Sequence, residues 1–203
     1  MRAAPPDGAL DHELTRRHGL VAGVDEVGRG ALAGPVTVAA VNLNPERTIA
    51  GLDDSKRLSA TRRERLADEI RAKAVCWAVA HRSPAEIDRF NILEATRAAM
   101  TEAVLALTRT PGLVVTDAVA LRGLSFPVLA ETHADARYQC VAAASILAKV
   151  VRDKAMVALS REHPGYGWES NKGYPSPAHL AALGRLGASA QHRRTFAPLR
   201  VLA

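Results

Sequence analysis

Asp25 and Glu26 are adjacent acids at the end of an apolar run, LVAGVDEV. Successive side chains of a strand point to opposite faces, and burying two charges costs several kcal/mol unless they are compensated. Two explanations are open. One is a solvated strand end. The other is a set of hard oxygen ligands for Mg²⁺ or Mn²⁺, because clustered carboxylates repel one another until a divalent cation neutralises them. Asp117 ends a second apolar run, LVVTDAV, and Asp135 stands just before a helical segment, so both could supply further oxygens. Four acids at the edges of one sheet make the metal reading competitive, although spacing alone does not show that they converge.

The glycines that follow invite two nucleotide-binding readings, and both fail. Gly23-x4-Gly28 is followed by Arg29-Gly30, where a phosphate-binding P-loop needs lysine and then serine or threonine. Gly28-x-Gly30-x3-Gly34 is one residue off the dinucleotide fingerprint and leads into a valine-rich strand where that motif needs a helix. What remains is a tight turn whose glycines bring backbone polar groups close to a ligand, with Arg29 able to meet a phosphate. His12, His18, His163, His179 and His192 are scattered without metal-ligand spacing, which argues against zinc. Ser145 and Ser160 have no Ser-His-Asp context, so acyl chemistry has no support. Tyr174, between Gly173 and Pro175, could pack a loop or face a ligand. Arg193 and Arg194 are either a solvated basic end or counter-ions for phosphates.

These residues need a scaffold. After a polar leader, residues 1–18, two strand-like runs (LVAGVDEV and Pro35–Leu43) form a hairpin with a wide turn. Ser59–Lys73 has helical composition, with Thr61 and Glu64 as a capping box, and Val75–His81 is a third strand. Ser83-Pro84-Ala85-Glu86 starts a further helix, and Ile92, Ala95, Ala99, Ala103 and Leu107 recur at helical spacing. Short strands then precede Asp117 and Asp135, and Tyr138 to about Ser160 forms a long helix. A loop, Pro164–Pro175, leads to a helix opened by Ser176-Pro177 and closed near Gly187. The result is an α/β domain over residues 19–160 with a small helical extension over 161–203.

Composition bounds the partners. The 203 residues are 48% hydrophobic, enough for one substantial core, and the formal charge of +6 favours a polyanion. An aromatic content of 4% argues against binding single strands mainly by stacking bases. Cys76 and Cys140 lie far apart in apolar stretches, as expected of a reduced, cytoplasmic protein, and no segment targets a membrane.

GVDEVGRGALAGPVTVAAV (Gly23–Val41) resembles the signature of the ribonuclease HII family. Further resemblances follow in that family's order: Asp54-Ser55-Lys56 with Leu58-Ser59, Asn91-Ile92-Leu93 with Ala95-Thr96, Asp135 with AAASILAKVVRD, Lys172-Gly173-Tyr174-Pro175, and His192-Arg193-Arg194-Thr195-Phe196. They span about Leu20–Leu199. The resemblance implies a ribonuclease H-like mixed five-stranded sheet flanked by helices, with a C-terminal element closing over nucleic acid. It implies a metal-dependent endoribonuclease that hydrolyses RNA in RNA–DNA hybrids and cuts on the 5′ side of single ribonucleotides in duplex DNA, with two Mg²⁺ or Mn²⁺ ions. Asp25, Glu26, Asp117 and Asp135 take the places of the acidic ligands. Gly28, Arg29 and Gly30 take that of the turn that senses the ribose 2′-OH, Tyr174 that of a junction-facing tyrosine, and Lys56 that of a lysine near the phosphates. Asp153, several helical turns beyond Asp135, is read either as a support behind the ligands or as structural. Two residues depart from the pattern: Ala118, where glycine is usual after the third acid, and Thr195, where serine is commoner. A monomer is expected, and no sliding-clamp partner is legible. The rival is a non-catalytic nucleic-acid-binding module of the same fold, which would gain affinity by losing the acids.

Overall fold

The computed structural model describes residues 4–202. Strands β1 (Val21–Val27) and β2 (Val36–Asn42) pair antiparallel about the glycine-rich turn, as their alternation requires. β3 (Cys76–Arg82) extends the sheet antiparallel to β2, while β4 (Leu113–Asp117) and β5 (Val128–Glu131) extend it in parallel on the other side of β1. The order β3-β2-β1-β4-β5 is the mixed five-stranded sheet that was expected.

Helices flank both faces, in chain order α1 (Ala9–His18), α2 (Ala60–Lys73), α3 (Pro84–Phe90), α4 (Ile92–Leu105), α5 (Gln139–Glu162), α6 (Trp168–Asn171), α7 (Pro177–Leu186) and α8 (Leu199–Leu202). On one face α4 lays Ala99 and Ala103 on Val24, Val38 and Val114. On the other, α2 and α5 bury Leu66, Ile70, Ile146 and Leu147 against Ala39 and Val41. α5 lies directly on the central strand: a Cβ at Gly23 would fall 2.1 Å from the Cys140 carbonyl carbon, so only glycine allows this contact. Cys76 and Cys140 are both buried and free. Among the described residues no helix is long and apolar enough to cross a membrane.

The caps refine the sequence reading. Ser83 and Glu86 form the expected capping box. The one expected at Thr61 and Glu64 is not formed: Ser59 has the extended backbone a cap needs and accepts the Arg62 N–H, whereas Thr61 already lies within the helix. Asn91, at φ 68°, ends α3 and caps α4 in a single residue. Residues 9–18 of the polar leader form a helix with a structural task. Tyr138 caps α5 without a side-chain acceptor, and the Asp11 carboxylate supplies one, accepting from Gln139 N at 2.8 Å and Cys140 N at 2.9 Å.

Candidate active site

The register of the parallel pair, Val24 opposite Thr116, brings Asp25 and Asp117 to the ends of adjacent strands. Strand alternation then sets their direction. Val24 and Val114 face α4, whereas Val21 and Val115 face α5, so Asp25 and Asp117 point together toward α5. Glu26 has the opposite phase but stands beyond the last residue that β1 pairs with β4, where it still reaches the same cavity. That cavity, of about 440 Å³, is lined by Asp25, Glu26 and Asp117 together with the Gly28–Gly30 turn, Lys56 and Tyr174. Asp135 is not in its wall. It sits in the single turn Ala134–Ala136 before α5, a turn joined to the site because the Ala134 N–H donates to Asp117 Oδ1 at 3.1 Å.

The acids are poorly compensated. Burial, then the neighbouring charges of Glu26 and Asp117, push the Asp25 carboxyl well above the usual carboxylate range. Burial raises Glu26 as well, against the pull of Arg29, whose Nη1 donates to Glu26 Oε1 at 3.0 Å. Burial followed by the Asp54 and Asp117 charges raises Asp135. Partial burial lowers the Lys56 ammonium, but Asp54, Asp135, Asp25 and Asp117 outweigh it and hold Lys56 above its ordinary value. Lys56 therefore brings a positive charge among Asp54, Asp135, Asp25 and Asp117.

Among the described residues no three imidazole, thiol or carboxylate groups are gathered closely enough to hold an ion. The donor set nonetheless fits a hard divalent cation: every donor is a carboxylate oxygen, and Glu26 Oε2 is buried with no hydrogen-bond partner. An orphaned, desolvated carboxylate oxygen beside two like charges is an acceptor awaiting a cation.

Ser145 was passed over in the sequence because it lacked a nucleophile's context. On α5 it hydrogen-bonds the Asp25 carboxylate, and its Oγ lies 2.9 Å from Ser55 Oγ. The signal available was a lone hydroxyl within AAASIL, on a helix face otherwise committed to the core. Asp153 accepts from Lys149 Nζ at 2.8 Å and faces Arg63 at 3.9 Å.

The glycine turn is held from beneath. Gly28 has φ 91°, and a Cβ there would lie 2.1 Å from Arg152 Nε. Arg152 is fully buried and donates to the carbonyl oxygens of Pro35 (2.8 Å), Lys172 (2.9 Å) and Ala33 (3.0 Å). Arg193 is also fully buried, and both sequence readings of it fail. It is neither a solvated end nor a counter-ion for phosphates, but a clamp that donates to Gly34 O and, at 2.9 Å, to Arg29 O. Arg194 is exposed. Gly30 differs from Gly28, since a Cβ there meets nothing within 4 Å. The Arg29 guanidinium, which could have met a phosphate, is here paired with Glu26.

Ala118 takes the left-handed conformation, φ 56°, which explains why glycine is usual there; the turn forms regardless, with Ala118 N donating to Glu131 O. Thr195 keeps the hydroxyl of the serine it replaces, donating to Asp88 Oδ1 at 2.6 Å. The half-buried Tyr174 ring lies 5.5 Å from the Arg152 guanidinium and 6.0 Å from Lys149 Nζ. Two of the histidines read as scattered in fact meet, with Nε2 of His179 and His192 3.2 Å apart; chain folding, which spacing cannot reveal, joins them. A groove of about 600 Å³ continues from Lys149 along α5, carrying Lys154 and Arg161 on its wall.

The family model for ribonuclease HII matches residues 22–199 of this chain. A ribonuclease HII of Paracoccus denitrificans is 53% identical over 196 residues, covering 96% of this chain and 93% of that protein. Among solved structures, the ribonuclease H2 of Pyrococcus horikoshii is 29% identical with a TM-score of 0.76, over 90% of this chain and 96% of that one. The ribonuclease HII of Archaeoglobus fulgidus, solved in complex with PCNA, is 30% identical with a TM-score of 0.75, over 87% of this chain and 95% of that one.

Proposed function

Because the chain belongs to the ribonuclease HII family, and is thus a metal-dependent endoribonuclease of the ribonuclease H type, we propose that it cuts on the 5′ side of single ribonucleotides embedded in duplex DNA. Asp25, Glu26, Asp117 and Asp135 would hold two divalent ions, Mg²⁺ or Mn²⁺. One observation carries this reading: three of the acids share one cavity with the Gly28–Gly30 turn, Lys56 and Tyr174. A binding module without turnover would have no use for desolvated, mutually repelling carboxylates facing a polyanion.

When bound, the ions supply Lewis-acid charge to an attacking water and to the departing 3′-oxygen, so the products carry 5′-phosphate and 3′-hydroxyl ends. The chain's own residues do the rest. Ser145 fixes the Asp25 carboxylate, and Lys56 brings positive charge to the phosphate. The turn's backbone at Gly30 is free of side-chain obstruction, so it can hydrogen-bond a 2′-OH that DNA lacks. Such a site rejects the analogue without the hydroxyl strongly, because its polar groups would be left unpaired. Tyr174 stacks on the sugar of the next nucleotide, where a ribose 2′-OH would obstruct the ring, so RNA followed by DNA is the accepted order.

The test compares a duplex carrying one ribonucleotide with a continuous RNA–DNA hybrid of the same sequence. Wild type should prefer the former, and Tyr174→Ala should lose most of that cleavage. Equal wild-type rates on the two substrates would refute the junction reading.

Duplex flanking the cut would run along the α5 groove. Asp153 occupies Lys149 and Arg63, whereas Lys154 and Arg161 have no ion-pair partner among the described residues. The two lie seven residues apart on α5, roughly 10 Å along its axis and on the same helix face, so both can meet phosphates of one backbone. Counter-ion release then predicts that a Lys154→Gln, Arg161→Gln double variant lowers the salt slope of duplex binding by about 1–2. An unchanged slope would exclude this path.

A further inference from the structure

His179 and His192, 13 residues apart, meet inside the C-terminal extension with relative exposures of 0% and 2%. Their partners fix where the protons sit. The Trp168 indole N–H can only donate, and it does so to His179 Nε2 at 3.0 Å. The proton of His179 therefore lies on Nδ1, which donates to the Tyr174 carbonyl oxygen at 2.9 Å. His192 Nδ1 accepts the Ser189 backbone N–H at 3.0 Å, so its proton lies on Nε2 and points at His179 Nε2. The bonds thus run in one direction, from Ser189 through His192 and His179 to the backbone of Tyr174. A further proton breaks this chain. His179 Nε2 already faces two donors, so protonating it sets donor against donor, and a proton on His192 Nδ1 opposes the Ser189 backbone N–H and leaves only the Ser189 hydroxyl, 3.0 Å away, to accept it.

We propose that His179 and His192, as a neutral hydrogen-bonded pair, are positioning residues that hold Tyr174 in place and thereby set the preference for a lone ribonucleotide over a continuous hybrid. This rests on the assignment of Tyr174 given above. The pair's surroundings favour neutrality. Tyr166 packs its ring 4.8 Å from His192 and donates its hydroxyl to Gly187 O. Burial, then His179, Arg194 and His163, holds His192 down at about 4, and burial lowers His179 against the opposing Tyr174 carbonyl. No carboxylate stands among the groups that bear on them. Because the folded pKa values lie below that of free imidazole, the network is intact above the ordinary value of about 6.5 and loses stability as pH falls from there.

The experiment measures the ratio of cleavage rates on the two substrates at about pH 8 and about pH 4, where His192 titrates, with fixed metal. Protonation of the acidic ligands slows both reactions and cancels from the ratio. The wild-type ratio should fall about twofold or more at the lower pH. His179→Leu should show a low ratio at both, through slower turnover of the single-ribonucleotide substrate rather than weaker binding. His179→Asn, whose amide still donates to the Tyr174 carbonyl but takes no proton, should keep a high ratio that does not change with pH. A wild-type ratio in His179→Leu, alongside a lost ratio in Tyr174→Ala, would overturn the inference and leave the Tyr174 assignment standing. An unaltered ratio in Tyr174→Ala would remove that assignment and this inference with it. Should His179→Leu fail to fold by circular dichroism, wild type and His179→Asn decide the matter: a wild-type ratio independent of pH overturns it.

Discussion

Replacing Asp25 by asparagine should give a folded protein that binds duplex at least as well as wild type yet cleaves it about a thousandfold more slowly, or slower still. The size follows from what the carboxylate does. It is buried, fixed by Ser145 and adjacent to two other acids, and losing it removes several kcal/mol of transition-state stabilisation at a tenfold rate loss for each ~1.4 kcal/mol. Binding does not suffer, because a negative charge facing phosphates has been removed. Stability should move in opposite directions with and without metal. In EDTA the variant should melt at higher temperature than wild type, since a desolvated charge beside like charges is gone. On adding Mg²⁺ or Mn²⁺, wild type should gain more, because an ion held only by the native state stabilises it. Wild-type cleavage by Asp25→Asn would mean that the site has been assigned to the wrong residues, and so would equal metal-induced stabilisation of the two proteins.

Gly28 and Gly30 should fail in opposite ways, although they share one turn. Gly28→Val combines a left-handed backbone with a collision against a buried arginine whose three carbonyl partners leave it nowhere to go. A loss of roughly 3 kcal/mol or more is expected, seen as a lower denaturation midpoint and reduced cleavage of every substrate. Gly30→Ala adds a methyl that touches nothing in the protein, so stability should stay within about 0.5 kcal/mol of wild type. On the proposed role of the turn the methyl stands in the path of the ribose, and cleavage at single ribonucleotides should fall at least tenfold. If Gly30→Ala keeps that cleavage, the turn's backbone does not read the 2′-OH.

The sheet and most helices were legible because their signals are local: alternation in β1, alanine spacing in α4, the Ser83 capping box. Asp25, Glu26 and Asp117 could be singled out because an acid at the end of a buried strand contradicts the pattern around it. Other features depended on contacts between distant segments. Arg193 looked like surface charge because no local pattern shows that a guanidinium will be sealed under a turn more than a hundred residues earlier. His179 and His192 looked unrelated for the same reason. Ser145 carried a signal too faint to weigh, one hydroxyl among alanines. The cap at Ser59 was misplaced by two residues, which is the scale on which a helix start is decided by the backbone conformation of a single residue.

The clamp on the turn also has a consequence in time. Gly28–Gly30 emerge early from the ribosome, but Arg193, which holds the Arg29 carbonyl, is added 164 residues after Arg29. At ordinary rates of synthesis that delay is on the order of ten to thirty seconds. Throughout it the nascent chain carries Asp25 and Glu26 without the support that shapes the turn beside them. Asp25 and Glu26 are made early and the arginine that clamps the turn beside them is made last, so the finished cleft exists only in a molecule whose translation is almost complete.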